Sequence, residues 1–527
     1  MPSNTETQKE NKSQVITVGS KPLTFQDFHK ILYEGQKIEL DKTALSKVEK
    51  SHEFLKTFSK DKLIYGINTG FGPMAQYRIS EQDRLDLQYN LIRSHCTGAG
   101  NSLSDIFVKS AMVCRLSSLM QGYSGIHPEV VHLLKDLINH DIYPQIFEHG
   151  GVGASGDLVQ LAHLSLNLIG EGEVTYKGEL RPTAEVYKEV GLKPITVHLR
   201  EGLGLINGTS VMTGIAMVNL LHAKQLLNWS LASSILIIEM VESYSDHFSK
   251  ELNQVKPHLG QRAVASAMNK VMSNSALIRK REEHLFDERY KKVDVFQDKV
   301  QEYYSIRCVP QILGPVLDTI LNTQTVLENE VNSVNDNPII DTDNNNVFHG
   351  GNFHGDYVAL EMDKLKIAIT KLTMLAERQL NFLMNDKLNG KLPPFVNLGK
   401  LGLNLGMQAA QFTATSTTAE NQMLSNPMYI HSIPNNNDNQ DIVSMGTNAA
   451  LITAKVIENA YQVLAIELLT TVQAVDVLKI DNRLSSGSQH TYQQIRKLVP
   501  RFEDDTILYK KLAAIKNQLQ ATNPQIL

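Results

Sequence analysis

The chain has 527 residues, 42% hydrophobic and 20% charged, which is the balance of a globular protein with a large core. Its formal net charge is −5 without a long run of one sign, so we expect no nucleic-acid or anionic-membrane partner. Cys96, Cys114 and Cys308 are too few for a disulfide framework and suit a reducing compartment. The N-terminus lacks a signal-peptide core, and no stretch approaches the apolar length of a membrane span, so we expect a cytoplasmic protein.

The first hundred residues predict a mixture of short elements and loops. Residues 1–13 are polar and predict a disordered tail, and Val15 to Val18 predicts a short strand. Thr24 with Asp27 is typical of a helix N-terminal cap. Residues 61–100 are rich in glycine, asparagine and aromatic side chains, which indicates a loop-dominated segment between helices.

Long segments with helical spacing and little proline or glycine follow. They cover residues 209–248, 311–332, 356–383 and 442–478. The last is apolar on most sides from 451 to 472, as in a helix buried in a bundle or an oligomer interface. No alternation of strands and helices indicates a doubly wound sheet. We predict a mainly α fold with few short strands, divided into a disordered tail (1–13), an N-terminal domain with a catalytic loop (14–208), and a central and C-terminal helical bundle (209–527).

A glycine-rich segment, His149 to Asp157, reads HGGVGASGD. Three of its glycines match G-x-G-x-x-G, but a dinucleotide site needs a hydrophobic strand before them, and residues 143–149 are short, polar at the end and interrupted by proline. The nucleophile elbow of hydrolases needs a glycine where Asp157 stands. A structural interpretation places Asp157 and Gln160 at the start of a helix reaching Ile169. That interpretation explains Asp157 but not the crowding of small residues before it.

The tripeptide Ala154-Ser155-Gly156 also permits a backbone reaction. If the nitrogen of Gly156 attacks the carbonyl carbon of Ala154, a five-membered ring closes, and dehydration that includes the Ser155 hydroxyl leaves an exocyclic methylene. Glycine supplies an unhindered nitrogen and a permissive backbone, serine the leaving hydroxyl, and alanine avoids a clash. The product is an electrophile that no ordinary side chain provides, and a helix start beside it favours negative charge on the ring.

Four further blocks accompany this segment, and together they resemble the histidine/phenylalanine/tyrosine ammonia-lyase family across roughly residues 20–510. The blocks are YGINTGFG at 65–72, LINGT at 205–209, YSIRC at 304–308 and NDNP at 335–338, besides residues 150–158 and Leu161-Ala162-His163. The run GGVGASGDLVQ is similar to that of a bacterial subgroup of tyrosine ammonia-lyases. Val159-Gln160 departs from the Ala-Pro of most members, but it lies outside the ring-forming residues.

The resemblance implies an enzyme whose 4-methylidene-imidazole-5-one cofactor (MIO) forms autocatalytically from Ala154, Ser155 and Gly156. It implies no external cofactor and no metal, and His349 and His354 have no matching Cys, Asp or Glu nearby in the sequence. It also implies a small-molecule aromatic amino acid as substrate and a homotetramer whose sites combine residues of three subunits. Tyr65 and Arg307 then need not share a chain with Ser155.

By the same resemblance, Tyr65 is the general base that removes the β-proton, on a mobile loop over the site. Arg307 is the clamp for the substrate carboxylate, since guanidinium matches a carboxylate in bidentate fashion. Asn207 and Tyr304 orient the amine and carboxylate and touch the electrophile. Gln301 and Phe353 line the same pocket.

Two positions bear on the substrate. His95 stands where family members choose the ring substituent, and a histidine there can bond a phenol or an imidazole. Histidine-selective members carry a glutamate where this chain has Gln440, in the block Asn439-Gln440-Asp441. The pair His95 and Gln440 favours L-tyrosine, which would give trans-4-coumarate and ammonia. Histidine ammonia-lyase and tyrosine 2,3-aminomutase remain the alternatives.

Overall fold

The computed structural model describes residues 15–296 and 299–527, and the predicted tail at 1–13 lies outside them. The fold is mainly α, as predicted, with 58% of residues in helices and 8% in strands. The helices are α1 Phe25–Tyr33, α2 Lys42–Phe58, α3 Arg84–His95, α4 Asp105–Met120, α5 Glu129–Asn139, α6 Leu158–Leu168, α7 Thr183–Val190, α8 Glu201–Ile206, α9 Ser210–Met240, α10 Lys250–Gln254, α11 Leu259–Met272, α12 Arg281–His284, α13 Tyr304–Arg307, α14 Val309–Val331, α15 Asp356–Met384, α16 Asp386–Asn389, α17 Gln408–Leu424, α18 Gly446–Leu478, α19 Ser486–Leu498 and α20 Tyr509–Ala521.

The strands are short and form small separate sheets. They are β1 Ile16–Val18, β2 Ile38–Leu40, β3 Ala99–Ser102, β4 Tyr143–Pro144, β5 Phe147–His149, β6 Glu173–Tyr176, β7 Glu179–Pro182, β8 Ile339–Asp341 and β9 Asn346–Phe348. β1 pairs with β2 in parallel; β3 pairs with β5, β4 with β6, β6 with β7, and β8 with β9, all antiparallel. Each described sheet has two or three strands, so none is large enough to be a doubly wound sheet.

The described residues form two compact units, each built from three chain segments. The first holds the residues up to Val218 together with Thr325–Leu360 and Met428–Leu451. The second holds Asn219–Gln324, Glu361–Pro427 and Ile452–Leu527. The sequence predicts a division of the chain into two continuous domains at residue 208. That division stays a prediction.

Within the first unit, α3, α6 and α8 pack against one another. This packing positions three site residues: α3 ends at His95, α6 begins directly after Asp157, and α8 ends directly before Asn207. The predicted cap is present at the start of the chain, where the Thr24 side chain accepts from the Asp27 N–H and the Asp27 carboxylate accepts from Thr24.

The stretch 61–100 is loop-dominated up to residue 83, as predicted, but a helix follows that was not predicted. This helix is α3, twelve residues long, of which Gln88, Leu91 and Ile92 are buried. Polar Gln88 lies on its buried side and apolar Leu85 on its exposed side, so its apolar periodicity is weak. Asn90, Ser94 and His95 of this helix line the cavity described below, and Gln88 bonds the backbone of Gly66 and Leu203.

The four long helical segments are confirmed as α9, α14, α15 and α18. The expectation that no stretch approaches the apolar length of a membrane span needs a correction. By length and composition alone, α18 is long and apolar enough to cross a membrane. However, 78% of its most apolar window is buried inside the fold, which is the pattern of a core helix in a globular protein.

Candidate active site

A cavity of about 760 Å³ lies within the first unit and brings together residues from distant parts of the chain. Seven of the predicted site residues line it: Tyr65, His95, Ser155, Asn207, Phe353, Asn439 and Gln440. Apolar side chains from α3 and α8, including Leu87, Leu91 and Leu203, form other parts of its wall. The cavity therefore combines a large apolar surface with a few polar groups, as small-molecule sites do.

Ser155 is held at the cavity wall by two amide side chains. The Asn207 Nδ2 donates to the Ser155 carbonyl oxygen at 3.0 Å, and the Gln440 Nε2 donates to the Ser155 hydroxyl at 3.1 Å. Ala154 is buried and Ser155 is half-buried. The serine side chain is thus accessible from the cavity while its backbone is fixed.

The glycines around Ser155 are required by close backbone approach. Gly156 has φ +74°, and a Cβ placed on it would lie 2.0 Å from the carbonyl oxygen of Gly208. Gly153 has φ +77°, and its Cβ would lie 2.0 Å from the Ser444 hydroxyl oxygen. Both positions therefore exclude any side chain. This accounts for the crowding of small residues, and it leaves the Gly156 nitrogen unhindered, so the tripeptide fits the precursor of the expected cofactor.

Two helices begin beside the tripeptide, α6 at Leu158 and α9 at Ser210. The positive ends of their dipoles favour negative charge at residues 155–157. Asp157 directly precedes α6, as predicted. Its side chain, however, makes no hydrogen bond to that helix. Its carboxylate instead accepts from the N–H groups of Val211 and Met212 in α9, both at 2.9 Å, and from the Thr447 hydroxyl at 2.5 Å.

Full burial raises the pKa of Asp157 from its usual 3.8 to about 6, although its three hydrogen bonds oppose the rise. Because the folded pKa exceeds the unfolded one, ionised Asp157 destabilises the fold above about pH 6, and this loss disappears as the pH falls toward 4. We expect the melting temperature of Asp157→Asn minus that of wild type to be a few degrees larger at pH 8 than at pH 5. Thermal unfolding at both pH values checks this, and an equal difference at both would contradict it.

A positive charge is buried behind the loop that contains Gly208. The Arg115 guanidinium is completely buried and donates to the Gly204 carbonyl oxygen. A Cβ on Gly208 would lie 2.5 Å from one of its nitrogens, so the two groups are in contact. Burial lowers the pKa of Arg115 to about 10, and Asp336 opposes that change, so the group stays cationic at neutral pH.

Tyr65 lies on a compact loop whose own backbone binds its phenol. The Gly72 N–H donates to the Tyr65 hydroxyl oxygen at 2.9 Å, and the Tyr65 N–H donates to the His349 Nε2 at 3.4 Å. The ring packs edge-on against Phe71, with centroids 5.9 Å apart. The phenolic oxygen is therefore positioned by a backbone N–H of its own loop.

His95 is held as a neutral imidazole of defined tautomer. Its Nδ1 lies 2.9 Å from the Leu91 carbonyl oxygen, and a carbonyl can only accept, so Nδ1 carries the proton. Burial lowers the pKa of His95, which keeps the ring neutral near pH 7. Nε2 is therefore a hydrogen-bond acceptor, and the side chain suits a ligand that offers a donor at this place.

Gln301, Tyr304 and Arg307 are not among the cavity-lining residues of the described chain. They belong to the second unit, where the Tyr304 side chain is 70% exposed and the Arg307 guanidinium lies 4.8 Å from the centre of its ring. Their part in the site therefore stays a prediction.

Several cavity residues were not identified from the sequence. Leu87, Leu91 and Ser94 share one face of α3 with the predicted His95, and Asn90 also reaches the cavity. The helical spacing around His95 was the available signal. Asn337 also lines the cavity, within the NDNP block, and His349 bonds Tyr65 directly.

The chain is similar to known proteins over most of its length. The model of the aromatic amino acid lyase family matches residues 23–497. A tyrosine 2,3-aminomutase of Chondromyces crocatus is 39% identical over 94% of this chain and 94% of that protein. A histidine ammonia-lyase of Treponema denticola is 36% identical over 95% of this chain and 96% of that protein. The crystal structure of a tyrosine aminomutase from Streptomyces globisporus superposes with a TM-score of 0.93 at 34% identity, covering 96% of this chain and 97% of that one.

Proposed function

This chain belongs to the aromatic amino acid lyase family, and we propose that it is a tyrosine ammonia-lyase that converts L-tyrosine to trans-4-coumarate and ammonia. The family contains ammonia-lyases and aminomutases, enzymes that break a carbon–nitrogen bond. The observation that carries the proposal is one cavity lined by Ser155, Tyr65 and a neutral His95. These three supply, in turn, the precursor of an electrophile, a base and a partner for the substrate's ring substituent.

The cofactor of the proposal is the MIO group formed from Ala154, Ser155 and Gly156. When present, it supplies an electrophile that makes the substrate amine a better leaving group. Asn207 and Gln440 hold Ser155 from two sides, at its carbonyl and its hydroxyl oxygens. The N-termini of α6 and α9 and the buried cation of Arg115 would stabilise negative charge at this place.

Tyr65 is the proposed general base for the β-proton of the substrate. Its phenolic oxygen already accepts the Gly72 N–H, so the phenolate keeps one donor throughout the transfer. The Tyr65 backbone is bound to His349 on a neighbouring loop, which fixes the position of the ring. Both contacts keep the base in place without occupying all of the oxygen's lone pairs.

Recognition of tyrosine is proposed to depend on His95. Its Nε2 would accept the phenolic O–H of tyrosine, whereas phenylalanine would leave that acceptor without a partner. Gln440 supports the choice against histidine, because it places a neutral amide where histidine-selective members carry a carboxylate. Apolar Leu87, Leu91 and Leu203 provide the surface that an aromatic ring covers.

The proposed assembly is a homotetramer with shared sites. In that arrangement Gln301, Tyr304 and Arg307 would enter the cavity of another copy, with Arg307 bonding the substrate carboxylate. The exposure of Tyr304 in a single chain supports this placement. A cytoplasmic location is proposed with it, because three scattered cysteines suit a reducing compartment.

A tyrosine 2,3-aminomutase is the second candidate, because three of the relatives at 39–40% identity bear that name. Such an enzyme would use the same residues and retain the released ammonia for re-addition at the β-carbon. Histidine ammonia-lyase is also represented among the relatives, at 36–38% identity.

Product identification separates these candidates. The purified protein is incubated separately with L-tyrosine, L-histidine and L-phenylalanine, and the products are resolved by chromatography with mass detection. We expect trans-4-coumarate to form fastest. Fastest formation of urocanate would overturn the tyrosine assignment, and β-tyrosine as the main product would identify an aminomutase.

Replacing His95 with phenylalanine tests the recognition model. We expect the ratio of kcat/KM for tyrosine to that for phenylalanine to fall about 10–100-fold, the equivalent of leaving one buried polar group unpaired. His132→Phe is the matched control, because His132 is an exposed histidine on α5 and does not line the cavity, so the same substitution there should leave the ratio unchanged. An unchanged ratio in His95→Phe would remove His95 from the model.

A further inference from the structure

A cluster of imidazoles lies outside the cavity, at the other end of α8. It is formed by His52, His127 and His198, with ring centroids 4.4 Å apart for His127 and His198, 5.1 Å for His52 and His127, and 5.8 Å for His52 and His198. Glu129 adjoins it, with a carboxylate oxygen 3.7 Å from the His127 Nδ1. All of these residues belong to the first unit.

The two segments that carry His127 and His198 are held together by one buried carboxylate. Glu201, at the first position of α8, is fully buried. Its Oε1 accepts the His127 N–H at 2.8 Å, and its Oε2 accepts the His198 N–H at 2.9 Å. The backbone positions of both histidines are therefore fixed before any ligand binds.

Hydrogen bonding within the protein accounts for only part of the cluster. The His127 Nδ1 accepts the Glu129 N–H at 3.3 Å, and the His52 Nδ1 lies 3.2 Å from the Gly125 carbonyl oxygen. The His198 Nε2 is buried and has no hydrogen-bond partner, which is unfavourable for a polar atom unless a ligand takes that place. Neutral imidazole is the form that binds a metal ion.

We propose that His127, Glu129 and His198 bind a divalent transition-metal ion, with zinc as the ion of best fit. One ligand atom from each residue lies within 4.8 Å of those of the other two. Zinc binds imidazole and carboxylate at about 2.0–2.2 Å, so the atoms must draw closer, and the exposed Glu129 carboxylate can turn to do so. Two imidazoles and one carboxylate leave a fourth position for water, whereas magnesium or calcium would require mainly oxygen ligands.

The site has a structural consequence for α8. This helix begins at Glu201, beside the cluster, and ends at Ile206, and its Leu203 and Ile206 line the cavity together with Asn207. A bound ion would join the segments of His127 and His198 at the start of the helix. It would thereby stabilise the wall of the cavity from its far side, independently of the reaction that the cavity performs.

Metal binding is tested on untagged full-length protein stripped with a chelator. Zinc is titrated by calorimetry, cobalt(II) is titrated as a spectroscopic probe of ligand geometry, and melting temperature is followed with and without zinc. We expect one ion per chain, a visible cobalt band, and a rise in melting temperature. No binding, or binding without any thermal shift, would overturn the proposal.

Variants locate the ion. Glu129→Gln changes an exposed side chain and His198→Ala a half-buried one, and each should weaken zinc binding about 10–100-fold. His132→Ala, an exposed histidine on α5, is the matched control and should bind as wild type does. Equal affinity in all variants would overturn the assignment. The outcome is distinguishable from failure of the proposed function, because binding is measured without any amino acid substrate.

Discussion

A Tyr65→Phe enzyme turns over L-tyrosine about 10²–10⁴-fold more slowly than wild type, which is the usual contribution of a positioned general base. The substitution removes only the hydroxyl oxygen that accepts the Gly72 N–H, while the edge-on packing against Phe71 is kept. The effect should therefore fall mainly on kcat, with KM changing little. Steady-state kinetics at several pH values measure it.

Tyr77→Phe is the matched control for this result. Tyr77 lies on the same loop, and its side chain is 68% exposed, so its hydroxyl should not affect turnover. Activity near that of wild type in both Tyr65→Phe and Tyr77→Phe would exclude Tyr65 as the base. A similar loss in both variants would indicate that the loop, and not the phenol, is what the reaction needs.

Ser155→Ala is expected to abolish turnover, with a loss of about 10⁴-fold or more, because no side chain can replace the electrophile. The substitution removes the hydroxyl that would leave during ring formation. It keeps the backbone carbonyl that accepts from Asn207, and alanine is smaller than serine, so the loop should keep its conformation. An unchanged circular dichroism spectrum and melting temperature would show that the loss is chemical.

Turnover by Ser155→Ala at a rate near that of wild type would contradict the account. Ser155→Ala also removes the hydroxyl that the Gln440 amide bonds. Gln440→Ala removes the same hydrogen bond but keeps the Ser155 hydroxyl, so it measures the effect of that bond separately. That variant should keep the cofactor and lose much less activity than Ser155→Ala.

The chemistry of the tripeptide was predictable because it depends on residue types in direct sequence. Ala154, Ser155 and Gly156 are adjacent, and their glycine neighbours already indicated an unusual backbone. The structure adds the reason for those glycines, the contacts of Gly156 with Gly208 and of Gly153 with Ser444. Neither contact can be inferred locally, since its partner lies tens or hundreds of residues away.

The helix α3 was missed for a physical reason. Its inner side carries polar residues such as Gln88, whose amide donates to the Gly66 carbonyl oxygen, so the apolar periodicity that marks a helix is broken. Buried polar residues that bond a neighbouring loop in this way obscure the pattern of the element that carries them. In this helix only His95 was predicted as a substrate contact, by resemblance; the structure places it at the cavity, and its role stays a prediction.

The side-chain role of Asp157 and the imidazole cluster also depend on tertiary contacts. Asp157 bonds the start of α9, more than fifty residues later, and not the helix that it precedes. His127 and His198 are separated by seventy-one positions, so no metal-ligand spacing was visible, and no metal was expected. The fold brings both segments to one buried carboxylate, Glu201.

The mass of the intact purified protein tests the central claim most directly. Ring closure between the Gly156 nitrogen and the Ala154 carbonyl carbon, followed by loss of the Ser155 hydroxyl, releases two molecules of water. We expect the wild-type chain to be lighter than its sequence mass by two water molecules, with the loss confined to the peptide containing residues 154–156, and Ser155→Ala to show no such loss. A wild-type chain at its full sequence mass, active on tyrosine, would contradict the claim that its electrophile is built from its own backbone.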